Sequence, residues 1–315
     1  MATITARAPY IGAVSRAARR SYSVVLEVPS IPLLILALLA FVAIFAPVLA
    51  PHSKLDPVPP TREQCLARYN LATCPYVDNV PPFWSSGGNL STPLGTDFLG
   101  RDVLSRLMYG ARISLVVALT GTLIAGAIGT LLGVLAGYMG KWWDQFIMRI
   151  TDAWLTLPSL VFAILLSSVR GPGLWNIVLI FAFVFWSRYA RAARGEVLVL
   201  RERDFVKLAE INGVNKFQII RRHLLPNVMN TVMVVFSLQV GVAVIIEASL
   251  SFLGVGVPPP EPSWGLMMAQ ERESMMAGKW WLSVFPGICV TMLVLSANML
   301  GDWLRVRLDP QLRNR

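Results

Sequence analysis

The sequence predicts an all-α polytopic membrane protein with six transmembrane helices, and three observations carry that expectation. Of its 315 residues 55% are hydrophobic and only 15% charged, and the mean hydropathy is +0.58; water-soluble domains carry about 25% charged residues. A helix needs about 20 mostly apolar residues to cross hydrocarbon, and segments 31–50, 113–137, 147–168, 174–194, 228–253 and 282–304 approach that length. With six spans and the N-terminus inside, 19 of the 28 Lys and Arg fall on the inner side and 9 on the outer. That asymmetry is what orients membrane proteins. It also accounts for the formal charge of +10 without a nucleic-acid partner, which is excluded here.

Residues 1–28 read as a basic inner tail. Arg16, Arg19 and Arg20 stand before the first apolar run as in a secretory leader. The run is too long for one, and Pro51 directly after Ala50 is poor cleavage geometry, so it is expected to stay as an anchor. Residues 29–110 then hold this first helix and the longest outer loop, rich in Pro, Gly and Ser. The loop contains Cys65 and Cys74, nine residues apart, which an oxidising compartment would let pair. Asp102 to Gly110 suits a short helix leading into the second span.

Residues 111–304 form the main transmembrane domain. Its first span carries Ala125, Gly129, Gly133 and Gly137, a ridge of small residues on one helix face that lets another helix approach closely. The next opens MRITDAWLTLP. There Asp152 reaches water or pairs with Arg149 at i,i+3, and Pro158 bends the helix. In the fourth span Arg188, Arg191 and Arg194 share a face as the helix emerges, placed to meet phosphates or acidic groups of a partner. Residues 305–315 are an inner tail. No Cys/His cluster has metal spacing, and no cofactor is expected.

Between spans four and five the inner loop 188–226 holds nine Lys and Arg, and it has the build of two short helices. Phe205 to Asn212 is good helix sequence ended by Gly213 in the manner of a C′ glycine. Asn215 looks like an N-cap with Gln218 as its capping-box partner. The second helix, Lys216 to Leu225, is expected to stop as Pro226 starts the next span. Phe217, Ile220 and Leu224 lie on one side of it, with Lys216 and Arg222 elsewhere, while Ala209 and Gly213 offer a low surface to an approaching backbone. Such a helix fits a membrane surface or a groove in a protein.

The pattern Ala209-x3-Gly213, then Ile220 and Leu225–Pro226 at fixed spacing, resembles the cytoplasmic EAA loop of ABC importer permeases. Lys207 and Leu208 stand where Glu and Ala are usual. Further runs resemble one subfamily, the "C" member of the B/C permease pair in dipeptide, oligopeptide and nickel importers. They include PLGTDFLGRDVLSRLMYGARISL (93–115), WSRYARAARGEVL (186–198), EASLSFLGVGVPPPEPSWG (247–265) and the closing FPG…NMLGDWLR…LDPQLR. The resemblance implies a type I ABC importer permease fold in a bacterial or archaeal cell membrane, both termini cytoplasmic. It implies a homologous permease as heterodimer partner, two ABC ATPase subunits, an extracytoplasmic substrate-binding protein, and di- or oligopeptides as cargo. Nickel chelates, glutathione or another small solute are the alternative.

On this resemblance the ATPase-coupling residues are Ala209, Gly213, Asn215, Lys216, Phe217, Ile220, Arg221, His223, Leu225 and Pro226, with Gly213 as hinge. The chain itself is not an enzyme: it contains no G-x4-G-K-[ST] run, so ATP hydrolysis must come from separate subunits. Glu247 is the one carboxylate deep in an apolar span, where ionisable groups are costly. Either it faces the passage and attracts a peptide's amino group, or it pairs with Arg101 or Arg112 or caps the Ser249–Ser251 turn. The segment Pro258–Trp264, with Glu271 and Glu273, is either a contact for the binding protein or a stiff solvated loop. A reading of a different class, a proton-coupled secondary transporter, would use Asp152 and Glu247 as proton carriers.

Overall fold

A computed structural model describes residues 29–60, 65–66, 70, 73–74 and 76–308, and every regular element among them is helical. Residues 1–28 and 309–315, expected to be inner tails, lie outside the described residues. In chain order the helices are α1 (Ser30–Leu49), α2 (Val103–Met139), α3 (Lys141–Thr156), α4 (Ser159–Arg170), α5 (Leu174–Leu200) and α6 (Asp204–Ile211). There follow α7 (Lys216–Ile219), a π-helical turn at Ile220–Leu224, α8 (Leu225–Phe252), α9 (Trp264–Gln270), α10 (Arg272–Met276) and α11 (Trp281–Leu308).

Four stretches are long and apolar enough to cross a membrane: α1, α2, α11, and the run from Lys216 to Phe252. The α3–α4 pair, bent by 92°, is a fifth if counted as one span. The expected third span is therefore not one curved helix over 147–168. Leu157 and Pro158 both adopt extended backbone, because proline disfavours the helical conformation in the residue before it. The expected fourth span lies in α5, a helix of 27 residues. Its apolar first half gives way to Arg188, Arg191 and Arg194, which leave it short of the apolarity of the other spans.

The expected short helix before span two is not separate either. α2 runs unbroken for 37 residues, about 55 Å at the α-helical rise. Buried Asp102 caps its start, its carboxylate accepting the Ser105 N–H at 2.9 Å. α2 and α5 form the closest seam of the bundle. A methyl group added at Gly129 would meet the Trp186 carbonyl, one at Gly133 the Ala190 carbonyl, and one at Gly137 the Val197 side chain. The small-residue ridge thus brings two backbones of this same chain together, where packing and not water drives association.

The loop before α2 and the segment between α8 and α11 close over the same end of the bundle. Asp97 accepts from Arg101 Nε at 2.7 Å and Arg106 Nη1 at 2.6 Å, while Arg106 Nη2 donates to Gln270 Oε1 at 2.9 Å. Trp264 is fully buried and its indole N–H donates to the Leu107 carbonyl at 3.0 Å. Glu271 is buried and accepts from the Phe98 N–H, and that burial pushes its carboxyl above the ordinary range. Pro262–Trp264 and Glu271 are therefore anchored inward, while Pro259, Pro260 and Glu273 are exposed and half-buried Glu261 meets Lys54 Nζ at 2.6 Å. Cys65 and Cys74 are bridged, with Cα atoms 5.6 Å apart.

Replacing Gly133 by Leu should destabilise the purified protein by about 3 kcal/mol or more, since a bulky group is forced against backbone. Replacing outward-facing Leu131 by Ala should cost about 0.5 kcal/mol or less. Thermal unfolding in detergent reads both.

Candidate functional site

Three arginines on the second half of α5, from its midpoint to its basic end, organise the contacts of that helix. Arg188 Nη1 donates to Gln239 Oε1 at 3.0 Å and its Nη2 to Ser159 Oγ at 2.9 Å. Arg191 meets Asp152 at 2.6 Å, both side chains more than half exposed. Arg194 grips Asp144 through two bonds, of 2.5 and 2.7 Å. The three arginines, expected to face lipid or a partner, are instead bound within the chain and tie α5 to α3, α4 and α8. Asp152 accordingly pairs with Arg191 and not with Arg149, because the fold brings α5 alongside α3. Asp144, Ser159 and Gln239 went unnoticed in the sequence. Their partners lie 29 to 51 positions away, and no local spacing signals them.

After α5 the chain turns at residues 201–203 into α6. Val206 and Ala209 face inward and are buried, so the small side chain of Ala209 serves internal packing and is not part of an open surface. Tyr138 at the end of α2 donates its hydroxyl hydrogen to Glu210 Oε1 at 2.9 Å, holding α6 against the bundle. The helix then ends as the glycine predicts. Gly213 has φ +73 with open space around its Cα, and its N–H bonds the Glu210 carbonyl while Val214 N–H bonds that of Ala209. That bond pair satisfies two carbonyls the helix would leave free.

Asn215 caps the next helix, its side-chain oxygen accepting from the Phe217 N–H at 3.1 Å. Gln218 contributes its backbone N–H to the Asn215 carbonyl at 2.8 Å. The side-chain bond of a capping box is not formed among the described residues.

The helix does not stop at Pro226 but continues from Lys216 to Phe252, 37 residues in all. The π turn makes this feasible: the Leu225 N–H reaches back five residues to the Ile220 carbonyl. A proline in an ordinary α-helix has no N–H to give and drives its ring into the carbonyl four residues back. One extra residue in the turn moves that carbonyl aside. The neighbouring His223 carbonyl is taken by the Asn227 side-chain amide at 2.6 Å.

The same extra residue shifts the buried face. Ile219 and Leu224 are fully buried, and Ile220 and Leu225 partly so, whereas Phe217, expected beside them, is 67% exposed. Phe205, Leu208 and Ile211, spaced three apart on α6, are also exposed. Arg221 and Arg222 are exposed and His223 is half-buried, its ring centroid 6.0 Å from that of Phe205. Exposed apolar side chains of α6 and α7 thus stand among the exposed cations Lys207, Lys216, Arg221 and Arg222 of the same two helices and the π turn. Uncovered apolar patches with a charged rim mark protein interfaces.

Glu247 sits far along the same continuous helix and is fully buried. It accepts from the Ser114 hydroxyl at 2.9 Å and the Ser251 hydroxyl at 2.8 Å. Among the described residues it pairs with no arginine: Arg101 is held by Asp97 and Arg112 is exposed. Ser249 is occupied with the Ile245 carbonyl, so only the last serine of that turn serves the carboxyl. The bonds join α8 to α2 from the inside.

Residues 129–314 match the family described as binding-protein-dependent transport system inner membrane component. The chain is 39% identical to the di/tripeptide transport system permease protein DppC of Pseudomonas aeruginosa over 90% of this chain and 88% of that protein. It is 38% identical to the dipeptide transport system permease protein DppC of Alkalihalophilus pseudofirmus, over 78% of this chain and 80% of that one. It is 40% identical to the glutathione transport system permease protein GsiD of Pectobacterium atrosepticum, over 70% and 73%.

Removing the cap with Asn215→Ala should cost about 1 kcal/mol, felt locally. Amide hydrogen exchange at Phe217 should then speed up by about fivefold, while exchange in α2 stays as it was.

Proposed function

The chain belongs to the family of binding-protein-dependent transport system inner membrane components, and from that membership we propose that it is one permease subunit of an ATP-driven importer of di- and oligopeptides. It works as the "C" member of a heterodimer, with two ATPase subunits on its basic face and a binding protein delivering substrate opposite. It crosses the membrane six times, α5 and the broken α3–α4 pair each counting as one span, with both termini in the cytoplasm. Glutathione, itself a small peptide, is the second cargo supported by the relatives' names.

The observation that carries this reading is the unbroken helix from Lys216 to Phe252. One end of it belongs to the exposed apolar surface, and the other reaches the buried Glu247 and the closing loops. A partner that grips Phe205, Leu208, Ile211 and Phe217 can therefore move a membrane-crossing element directly. Gly213, at positive φ with nothing packed on it, is the joint about which α6 and the long helix adjust. The chain supplies no hydrolysis; it turns an ATPase's change of shape into alternating access through differential contacts in two states. Asp152, exposed beside Arg191, and Glu247, sealed among hydroxyls, are structural groups in this reading and not a proton path.

Reconstituted with its partners, the importer should take up dipeptide with ATP and show no uptake on a proton gradient alone. Phe217→Asp should reduce co-purified ATPase by about tenfold or more, the loss of one buried aromatic anchor. Its thermal stability should hold within about 0.5 kcal/mol, because this side chain is mostly exposed in the isolated chain. Full ATPase retention would argue against this surface as the dock.

A further inference from the structure

We propose that the break between α3 and α4 is a carboxylate-binding site at mid-depth in the bundle, taking the C-terminal carboxylate of the transported peptide through Arg188, Ser187 and the free N–H groups that open α4. The identity of the ligand rests on the importer reading above; the anion chemistry rests on the site.

Arg188 stands 14 residues from the start of α5 and 12 from its end, about 21 and 18 Å along the axis. It is therefore midway through the helix. Among the described residues it has no carboxylate partner; its two acceptors, Gln239 Oε1 and Ser159 Oγ, are both neutral. A guanidinium at such depth is costly unless it meets an anion, and so points to one.

The groups around it are donors in excess. The N–H groups of Ser159, Leu160 and Val161 have no acceptor among the described residues, since the first backbone bond of α4 runs from Phe162 to Pro158. They form the positive end of a helix of 12 residues, a geometry that binds anions. The Ser187 hydroxyl is 1% exposed and without a partner, and so is the Gln239 side-chain nitrogen, which is 5% exposed. Ser187, Arg188, Thr156 and Ser159 line one cavity of about 240 Å³ at the break. Discontinuous helices whose half-helix starts point into a polar cavity are how membrane transporters hold anionic groups.

The remaining walls narrow the ligand. Trp154 and Phe162 form an apolar side to the same cavity, and Trp154 is fixed there by its indole N–H to the Phe183 carbonyl at 2.8 Å. A planar anion joined to a small side chain matches such a site, with two oxygens for the guanidinium and helix N–H groups and an aromatic wall for the side chain. The passage then recognises the one feature every peptide of varied sequence shares.

The binding test uses the permease pair with its ATPases in nanodiscs, without the binding protein so that its own selectivity plays no part; uptake is read separately with the full importer, binding protein included, in liposomes. Ligand-observed saturation-transfer NMR compares dialanine with dialanine amide. The acid should bind about tenfold tighter, the worth of a charge-assisted pair. Arg188→Gln should bring the acid down to the amide's affinity, and Arg188→Lys should keep part of the preference. Ser187→Ala should shrink it severalfold. Equal binding of acid and amide by the wild type would overturn the proposal, as would an unchanged ratio in Arg188→Gln. If Arg188→Gln does not assemble, the wild-type ratio and Ser187→Ala decide. ATP-driven dialanine uptake by the wild type with no acid preference would remove the site and leave the importer reading standing. No uptake of dialanine would remove the peptide reading and this site's ligand with it.

Discussion

A chain that crosses hydrocarbon must keep its backbone N–H and C=O groups paired, because no water is there to take them. Two prolines in this molecule meet that demand in opposite ways. At Pro226 the helix widens by one residue, the Leu225 N–H reaches the Ile220 carbonyl, and the helix goes on. At Pro158 it breaks, turns by 92° and leaves three N–H groups free beside Arg188 and the buried Ser187 hydroxyl. Irregular backbone at that depth is tolerated where it lines a polar cavity. Continuity at one proline carries motion, and discontinuity at the other supplies chemistry.

The rest of the bundle divides accordingly. The glycine seam between α2 and α5 brings backbones into contact that no side chain could enter, which makes the pair a fixed frame. Arg191 and Arg194 staple α3 to that frame through Asp152 and Asp144. At the far end Asp97, Arg106, Gln270 and Trp264 lock the loops over it. The exposed apolar surface around Phe217, in contrast, belongs to elements that touch the frame at few points. They are the parts free to shift when a partner binds.

Much of this was legible in the sequence because it is local. Gly213 and Asn215 announce a helix end and a helix start, and both serve as expected. The four-residue spacing of Gly129, Gly133 and Gly137 declares a close helix contact, though it cannot say with which helix. What stayed hidden depends on partners distant in sequence or on a change of helical period. No spacing reveals that Arg194 will find Asp144, or that Glu247 will find Ser114 on another helix. A proline reads as a stop, so the π turn and the continuous 37-residue run were not foreseen. Nor was the reversal of Phe217, since a period of 3.6 places it with Ile220 and Leu224.

The central claim is that Lys216 to Phe252 moves as one piece. Spin labels at exposed Gln218 and Ile245 stand 27 residues apart, about 40 Å at the helical rise. Their separation, measured by pulsed electron resonance in the assembled importer with and without ATP, should stay constant to about 2 Å, well under one helical turn. Over the same transition the distance from Gln218 to a label on α2 should change. A shift between Gln218 and Ile245 by about a helical turn or more, with the helix opening at Pro226, would contradict the account.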